Sequence, residues 1–250
     1  MRLSWARAIL GLTLATVLMS GATPASAQGG GGLQVSPIRL DLGGKQRGGA
    51  LTLTNTSEIK KTIQVDVVAW SQSGEEDVYT PTRELLANPP LFFLDPGASQ
   101  VVRIGLPAST KASSSERAYR VYLREVPQDK PAEAATLRVV VRLGVPVFVS
   151  PATAIAADLQ WSAHLQTDGS VIVALENRGT KHVRVAQLKL LAATGGEVRG
   201  EDTAMHYVLA GSHQRWQVKS ATQKLAPGSA RISALMEDGV REFPVVVQAD

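Results

Sequence analysis

The segment Thr136-Leu-Arg-Val-Val-Val-Arg-Leu-Gly-Val-Pro-Val-Phe-Val149 has an apolar residue at every odd position from Leu137 to Val149. Because successive side chains of a β-strand point to opposite faces of the sheet, this alternation predicts a strand with one continuous apolar face. Proline cannot donate a hydrogen bond to a neighbouring strand, so Pro146 predicts a sheet edge or a change of partner at this point. The segment is therefore expected to be a long strand with one edge open.

Two interpretations of this apolar row are open. In the first, Leu137, Val139 and Val141 line the core of their own sandwich, as most apolar strand residues do. In the second, the edge is kept open for a partner that adds a strand, because a long apolar edge without a partner is an aggregation hazard. The backbone ladder then supplies affinity, and the alternate side chains supply specificity.

Similar short segments with the composition of β-strands lie on both sides of this strand. On the N-terminal side they are Leu33–Leu42, Ala50–Asn55, Thr62–Trp70, Gln100–Leu106 and Ala118–Val126. On the C-terminal side they are Asp158–His164, Ser170–Asn177, Val183–Leu191, His213–Val218, Arg231–Met236 and Arg241–Gln248. One helical turn is predicted, at Arg83–Ala87, where Pro89 and Pro90 end it. The chain is therefore expected to be all-β, with two packed antiparallel sandwiches divided near Pro151.

The composition excludes several classes of protein. The chain has 250 residues, of which 44% are hydrophobic, and this size suits one large or two medium globular domains. It contains no cysteine, which excludes disulfides, Cys-ligated zinc and a thiol nucleophile. The 26 Lys and Arg residues are scattered and only slightly outnumber the 22 Asp and Glu residues. A nucleic-acid partner is therefore not predicted.

The N-terminus has the three parts of a secretory signal. Arg2 and Arg7 precede an apolar run at Ala8–Met19, and Ala25-Ser-Ala27 supplies small residues for cleavage. Residues 1–27 are therefore predicted to be a cleaved signal peptide, and the Gly-rich residues 28–32 a flexible start of the mature chain. No later stretch approaches the roughly 18 apolar residues of a membrane-spanning helix. We expect an exported chain that is not inserted in a membrane.

The sequence offers little support for an enzyme or a metal site. Its histidines, which are His164, His182, His206 and His213, are dispersed without metal-site spacing and are expected at the surface. A metal site would be conceivable only if the strands of His206 and His213 paired. The acidic run Glu75-Glu76-Asp77 is expected to be a solvated loop rather than a pair of catalytic carboxylates. No catalytic residue, metal ion or cofactor is predicted.

A cation interrupts the apolar sequence Pro37-Ile-Arg-Leu-Asp-Leu42. Arg39 is expected to lie opposite the row formed by Ile38, Leu40 and Leu42, and a charge in such a strand needs a partner. It either pairs with Asp41 or is simply exposed, or it presents a guanidinium fork to a carboxylate of another molecule. The residues alone do not decide between these interpretations.

Four features together resemble one family. They are Val35-Ser-Pro-Ile-Arg-Leu40; Asn88-Pro-Pro-Leu-Phe-Phe-Leu-Asp-Pro-Gly97 followed by Gln100-Val-Val-Arg-Ile104; Glu116-Arg-Ala-Tyr-Arg-Val-Tyr-Leu-Arg-Glu-Val-Pro127; and the alternating strand from Leu137. The chain resembles the PapD-like periplasmic pilus chaperones, and within them a divergent branch of archaic or spore-coat-U-type pilus chaperones. The resemblance implies two immunoglobulin-like β-sandwich domains in a boomerang arrangement, at residues 33–151 and 152–250.

The same resemblance implies a function in fimbrium biogenesis. Such a chaperone binds, folds and caps pilus or fimbrial subunits in the periplasm by donor-strand complementation and delivers them to an outer-membrane usher. The subunit-binding strand corresponds to residues 137–143, with Leu137, Val139, Val141 and Leu143 facing the subunit. The free strand could also pair with a second copy of the chain. The alternatives are a structural pilus subunit or adhesin, and a sugar-acting enzyme, which would need a carboxylate pair in a cleft.

The resemblance also implies a site for the C-terminal carboxylate of the subunit, with two departures from the family's pattern. Arg39 matches the family's anchoring Arg, but Pro146 stands where the anchoring Lys is expected. Arg103 is the favoured substitute and Arg142 the other candidate. Glu116 matches the acidic member of the family's interdomain salt bridges, whereas Ser150 replaces the Arg of that set and puts the network in doubt.

Overall fold

The computed structural model describes residues 32–111, 113–127, 139–194, 197–220 and 225–249. These residues contain nineteen β-strands and no helix. The first ten strands are β1 (Leu33–Ser36), β2 (Leu40–Gly43), β3 (Gly48–Asn55), β4 (Lys61–Ser73), β5 (Glu76–Pro81), β6 (Leu86–Asn88), β7 (Leu91–Leu94), β8 (Ser99–Gly105), β9 (Arg117–Val126) and β10 (Arg142–Ser150). The others are β11 (Leu159–Leu165), β12 (Val171–Asn177), β13 (Val183–Val185), β14 (Gln187–Ala192), β15 (Val198–Asp202), β16 (His206–Val208), β17 (His213–Val218), β18 (Gly228–Met236) and β19 (Gly239–Ala249).

Strands β1 to β10 form the first sandwich from two sheets. Sheet A has the order β1-β3-β8-β6, and sheet B has the order β2-β10-β9-β4-β5, with β7 added to β4. All pairs are antiparallel except β2 with β10, which is parallel. Alternate residues of both sheets meet in one core, whose members include Leu51, Leu53, Val102, Ile104, Ile63, Val121, Leu123 and Val147. Burial of this alternating apolar set holds the two sheets together.

Strands β11 to β19 form the second sandwich. Seven of them make sheet C, with the order β15-β14-β18-β19-β11-β12-β17, and β13 pairs with β16 in a separate ribbon. An isolated bridge between Glu201 on β15 and Lys219 after β17 brings the two edges of sheet C together. Its core is separate from the first and includes Val173, Leu175, Leu188, Trp216 and Ile232. The all-β fold with two sandwiches predicted from the sequence is confirmed.

A small third cluster joins the two sandwiches. Trp70 and Phe148 of sheet B pack against Leu209 of the second sandwich, with Ala118 and Tyr207 beside them. The Gln72 side-chain amide donates to the carbonyl of Tyr207 at 2.8 Å, and its oxygen accepts from the backbone N–H of Leu209 at 2.9 Å. This junction lies at one end of sheet B.

Three local predictions in the first sandwich are wrong. Leu33–Leu42 is not one strand: it breaks at Pro37 into β1 and β2, which join different sheets, and Ile38 is 76% exposed rather than in the row of Leu40 and Leu42. Proline has no N–H for a sheet ladder, which favours this break. Arg83–Ala87 is a bend leading into β6, because pairing of β6 with β8 outweighs a weak helical tendency. Glu76 and Asp77 begin β5, which forms a hairpin with β4.

Candidate functional site

Strand β10 has an edge without a partner strand. It pairs with β9 from Arg142 to Val149, but with β2 only from Val147 to Ser150. Within the part of the chain that the structure describes, no strand pairs with the other edge of residues 142–146. Their backbone groups on that side are available to another strand, which is the usual way an open sheet edge binds an extended peptide.

The predicted apolar row leads from this open part of the chain into the core. Leu137 lies outside the described residues. Val139 and Val141 precede β10, which begins at Arg142 rather than at Thr136; Val139 is 57% exposed and Val141 is half-buried. Leu143 is half-buried and packs against the first core. The described members of the row therefore become more buried along the chain.

The opposite face of β10 belongs to the outer face of sheet B, which we define as the face turned away from the first core. Arg142, Gly144, Pro146 and Phe148 lie on it, paired with Arg124, Tyr122, Arg120 and Ala118 of β9, respectively. Arg142 stacks on Tyr122 with its guanidinium carbon 3.5 Å from the ring centroid. The outer face of sheet B is therefore rich in arginine and aromatic rings next to the junction.

Arg39 lies on the same outer face. It immediately precedes β2, whose first residue Leu40 is beside Val147, so Arg39 is placed beside Pro146. Its Nε donates to Asp41 at 2.9 Å, and its Nη1 donates to Glu237 in the β18–β19 turn of the second sandwich. Burial lowers the pKa of Arg39, but the nearby carboxylates of Asp41 and Glu237 outweigh this effect and raise its pKa above the ordinary value. The guanidinium is thus held across the junction by two acids.

Arg103 is not brought together with Arg39. It lies on β8 between the buried residues Val102 and Ile104, and its side chain is exposed on the outer face of sheet A. Arg39 faces away from the core on sheet B. Since the two sheets enclose the core, the two arginines point away from opposite sides of the sandwich.

The acid predicted for an interdomain salt bridge has a different partner. Glu116 is almost fully buried and accepts from the backbone N–H of His182 at 3.0 Å, and it lies 2.5 Å from the Nδ1 atom of the same residue. The His182 ring stacks on Phe148 with centroids 3.5 Å apart. Its Nε2 atom is 3.8 Å from Glu237. A histidine from the second sandwich, rather than residue 150, therefore contacts Glu116 and Glu237.

His182 is a buried residue of the junction whose position the sequence analysis did not predict. It was expected at the surface but is only 2% exposed, because Phe148 covers its ring and Glu116 pairs with its backbone N–H and its Nδ1 atom. Its buried Nε2 atom has no hydrogen-bond partner among the described residues. The remaining histidines form no metal site: among the described residues, no three His, Cys, Asp or Glu side chains group to hold a metal. Nor does that part of the chain contain a helix long and apolar enough to cross a membrane.

Comparisons with known proteins agree with this architecture. Residues 32–154 match the pili and flagellar-assembly chaperone family, PapD N-terminal domain. No curated protein sequence is significantly similar to the chain. Among solved structures, the chain is similar to a chain of the CsuC–CsuE chaperone–tip adhesion subunit pre-assembly complex, from the archaic chaperone-usher Csu pili of Acinetobacter baumannii. The sequence identity is 20%, the match covers 87% of this chain and 99% of that chain, and the TM-score is 0.60.

Two further structures show the same likeness. The CupB2 chaperone of Pseudomonas aeruginosa has 18% identity, coverage of 86% of this chain and 100% of that chain, and a TM-score of 0.56. The Salmonella enterica SafA pilin in complex with the SafB chaperone gives 17% identity, coverage of 86% and 96%, and a TM-score of 0.59. At these identities the likeness shows a shared fold. The N-terminal sandwich therefore matches the PapD N-terminal domain family of pilus chaperones, and the chain shares its fold with these chaperone structures.

Proposed function

We propose that this protein is a periplasmic chaperone that binds pilus or fimbrial subunits by lending them a β-strand. The observation that carries the proposal is the edge of β10, where residues 142–146 have no partner strand on one side among the described residues. An incoming subunit would pair its backbone with this edge and continue the ladder toward Val139 and Val141. Leu137, Val139, Val141 and Leu143 would face the subunit.

The side chains beside this edge suit an apolar partner. Val139 is exposed and Val141 half-exposed, so both have apolar surface to bury. Burying a valine side chain is worth about 1.5–3 kcal/mol relative to leaving it exposed. The CsuC–CsuE structure is a complex of a chaperone with a tip adhesion subunit, and the SafA–SafB structure is a complex of a pilin with a chaperone. These neighbours support the same class of partner for this chain.

Arg39 is proposed to bind the C-terminal carboxylate of the subunit. It lies beside Pro146, close to the open edge, and is partly exposed. A guanidinium offers two parallel donors to a carboxylate, which suits a site that fixes the end of a chain. The proposal also includes export through the predicted signal at residues 1–27 and delivery of the subunit to an outer-membrane usher. It places the two domains at residues 33–151 and 152–250.

Co-expression tests the proposal. The chain, with its N-terminal 27 residues intact, would be produced in a Gram-negative host with a candidate pilus subunit, and the periplasmic extract would be separated by size-exclusion chromatography. We expect a one-to-one complex in which the subunit is protected from degradation. A structural subunit or adhesin would instead be recovered in fibres, and recovery of the subunit in the same yield without this chain would contradict a chaperone function.

A further inference from the structure

A cavity lies at the end of the first sandwich where β10 leads into the second sandwich. Its volume is about 180 Å³, and residues 150–152 and the glycines Gly43 and Gly44 line part of it. Leu106 and Val149, which belong to the first core or pack against it, supply apolar surface. Sites for drug-sized ligands usually measure about 300–1,000 Å³, so this cavity suits a smaller ligand.

The described residues that line this cavity include three cations and no carboxylate. The cations are Arg47, Lys111 and Arg117. Among the described residues, no acid pairs with Arg47 or Lys111, and Nη2 of Arg47 donates to the carbonyl of Pro107 at 2.8 Å. Glu84 pairs with Arg117, with its Oε2 atom 3.3 Å from Nη1. One acid against three cations leaves a net positive charge, which attracts anions.

Arg117 carries a charge on the core side of sheet B. It begins β9 in alternation with the core residue Tyr119, and its cross-strand partner Val149 also belongs to the core. Its Nη1 contacts Glu84 and its Nη2 donates to the carbonyl of Lys111, but its Nε is buried and has no hydrogen-bond partner among the described residues. Such a donor is rare in folded proteins, and beside a positively charged cavity it suits an acceptor oxygen of a ligand.

A glycine brings a second wall of the cavity close to the segment that joins the sandwiches. Gly43 pairs with Ser150 at the end of the parallel β2–β10 ladder and has a φ of 134°. A β-carbon at position 43 would collide with the carbonyl oxygen of Ser150, so only glycine allows this approach. The chain then turns back tightly, because Gly43 and Gln46 bond to each other through both backbone groups at 2.9 Å. The wall is therefore in place before any ligand binds.

We propose that this cavity binds a small oxyanion of the phosphate or sulfate class as a free ion. Arg117 would donate from its Nε, and the exposed Arg47 and Lys111 would supply further donors and charge. The apolar surface of Leu106 and Val149 lowers the local dielectric constant and thereby strengthens the attraction between the ion and the cations. The site lies at the other end of β10 from its open edge, and the inference does not depend on the proposed function.

Titration of the whole protein with sodium phosphate and, separately, with sodium sulfate at neutral pH tests this inference. Binding is followed by two-dimensional NMR of the backbone amides, and sodium chloride keeps the ionic strength constant. The variants Arg117→Gln, Lys111→Gln and Arg47→Gln each remove one cation from the cavity. Lys45→Gln is the matched control, because it loses the same charge in the turn beside Gly44 but is not among the residues that line the cavity. Thermal unfolding verifies that each variant is folded.

We expect saturable shifts of the amide resonances of Gly44, Ser113 and Ser150, which line the cavity, and a Tm that rises with the phosphate concentration. Arg117→Gln should weaken phosphate binding about tenfold, since a hydrogen bond to a charged group is lost. Lys111→Gln should weaken it by about two- to fivefold, because its ammonium is exposed and screened by solvent. The Lys45→Gln control should bind phosphate as the wild type does.

Three outcomes would overturn the proposal. The first is the absence of saturable shifts in the wild-type protein with either ion. The second is equal weakening by Lys45→Gln and Lys111→Gln, which would show a general effect of positive charge rather than a site. The third is binding to phosphatidylglycerol vesicles without binding of free phosphate, which would assign the site to a lipid headgroup.

Two features keep the test decisive. If Arg117→Gln does not fold, Lys111→Gln and Arg47→Gln still decide the outcome, because both change exposed side chains. Capture of a pilus subunit is measured in a separate experiment, so a protein that binds no phosphate would leave the chaperone proposal standing.

Discussion

The two sandwiches differ in whether the edges of their sheets are paired. In the second, the edge strands β15 and β17 of sheet C are brought together by the bridge between Glu201 and Lys219. In the first, residues 142–146 of β10 keep one edge without a partner in the described chain. Open edges invite pairing with other chains, so proteins normally shorten, cover or charge them. Under the proposed function, binding of a partner belongs to the first sandwich, and the second sandwich contacts the first at the junction.

The largest expected effect comes from a charge in the apolar row of the first sandwich. Val139→Asp and Val141→Asp should abolish capture of a co-expressed pilus subunit, because a carboxylate buried without a partner costs several kcal/mol. Val246→Asp, at an exposed position on β19 of the second sandwich, is the matched control and should leave capture unchanged. The measurement is subunit yield in a periplasmic pull-down. Full capture by both Val139→Asp and Val141→Asp would remove the row from the binding site.

The next effect compares two arginines that each have an ion pair. Arg39→Ala should weaken capture by about 2–5 kcal/mol, because the subunit carboxylate loses its donors in a partly desolvated site. Arg39→Lys should fail substantially too, since a point charge replaces two aligned donors. Arg231→Ala, whose Nη1 lies 2.7 Å from Glu242 on sheet C, is the control and should lower stability by at most about 1 kcal/mol without affecting capture.

Affinity from titration calorimetry and thermal unfolding together distinguish the two roles of Arg39. If Arg39→Ala and Arg231→Ala behave alike, Arg39 is only a structural partner of Asp41 and Glu237. The carboxylate site would then need another cation, and strand lending by β10 would still stand.

A smaller effect is expected at the junction between the sandwiches. His182→Ala removes the ring that covers Phe148 and leaves the buried Glu116 with only a backbone donor. We expect the free energy of unfolding to fall by about 1–3 kcal/mol, the usual cost of a buried polar group that loses a partner. His206→Ala, a half-buried histidine against Trp216 inside the second sandwich, is the comparison and should cost less. Equal losses in urea titrations would contradict a special role for the junction.

The sequence predicted the features that depend on local pattern. The alternation of apolar residues predicted strands β4 and β10, and two sets of short strand segments separated by turn residues predicted two sandwiches. It missed features that depend on alignment between distant strands. Arg120 lies opposite Pro146 only through the register of β9 and β10, and neither residue signals the other along the chain.

The dependence on distant residues also explains why the sequence did not predict the contacts at the junction. The family resemblance placed Glu116 in an interdomain salt-bridge set whose Arg is replaced by Ser150, and its partner in the structure is His182, 66 positions away in the other sandwich. A histidine in a polar stretch is usually at the surface, and nothing in its neighbours predicts the stack on Phe148. The break between β1 and β2 at Pro37 was easier to predict from the sequence, since proline in a strand interior signals an interrupted ladder of hydrogen bonds.

The smallest expected effect concerns a tyrosine in the first sandwich. Burial, as the larger cause, and a hydrogen bond to Glu84 at 2.8 Å together raise the pKa of Tyr119 to about 12. Because the folded chain favours the neutral phenol, this group stabilises the fold below its ordinary pKa near 10, and the contribution is lost as the pH rises through about 12. Glu84→Ala should lower the pKa of Tyr119 only part of the way toward its ordinary value, because burial is the larger cause. Phenolate absorbance, with Tyr119→Phe identifying the signal, measures this shift. A return to the ordinary value in Glu84→Ala would show that the hydrogen bond, rather than the packing of the first sandwich, controls this tyrosine.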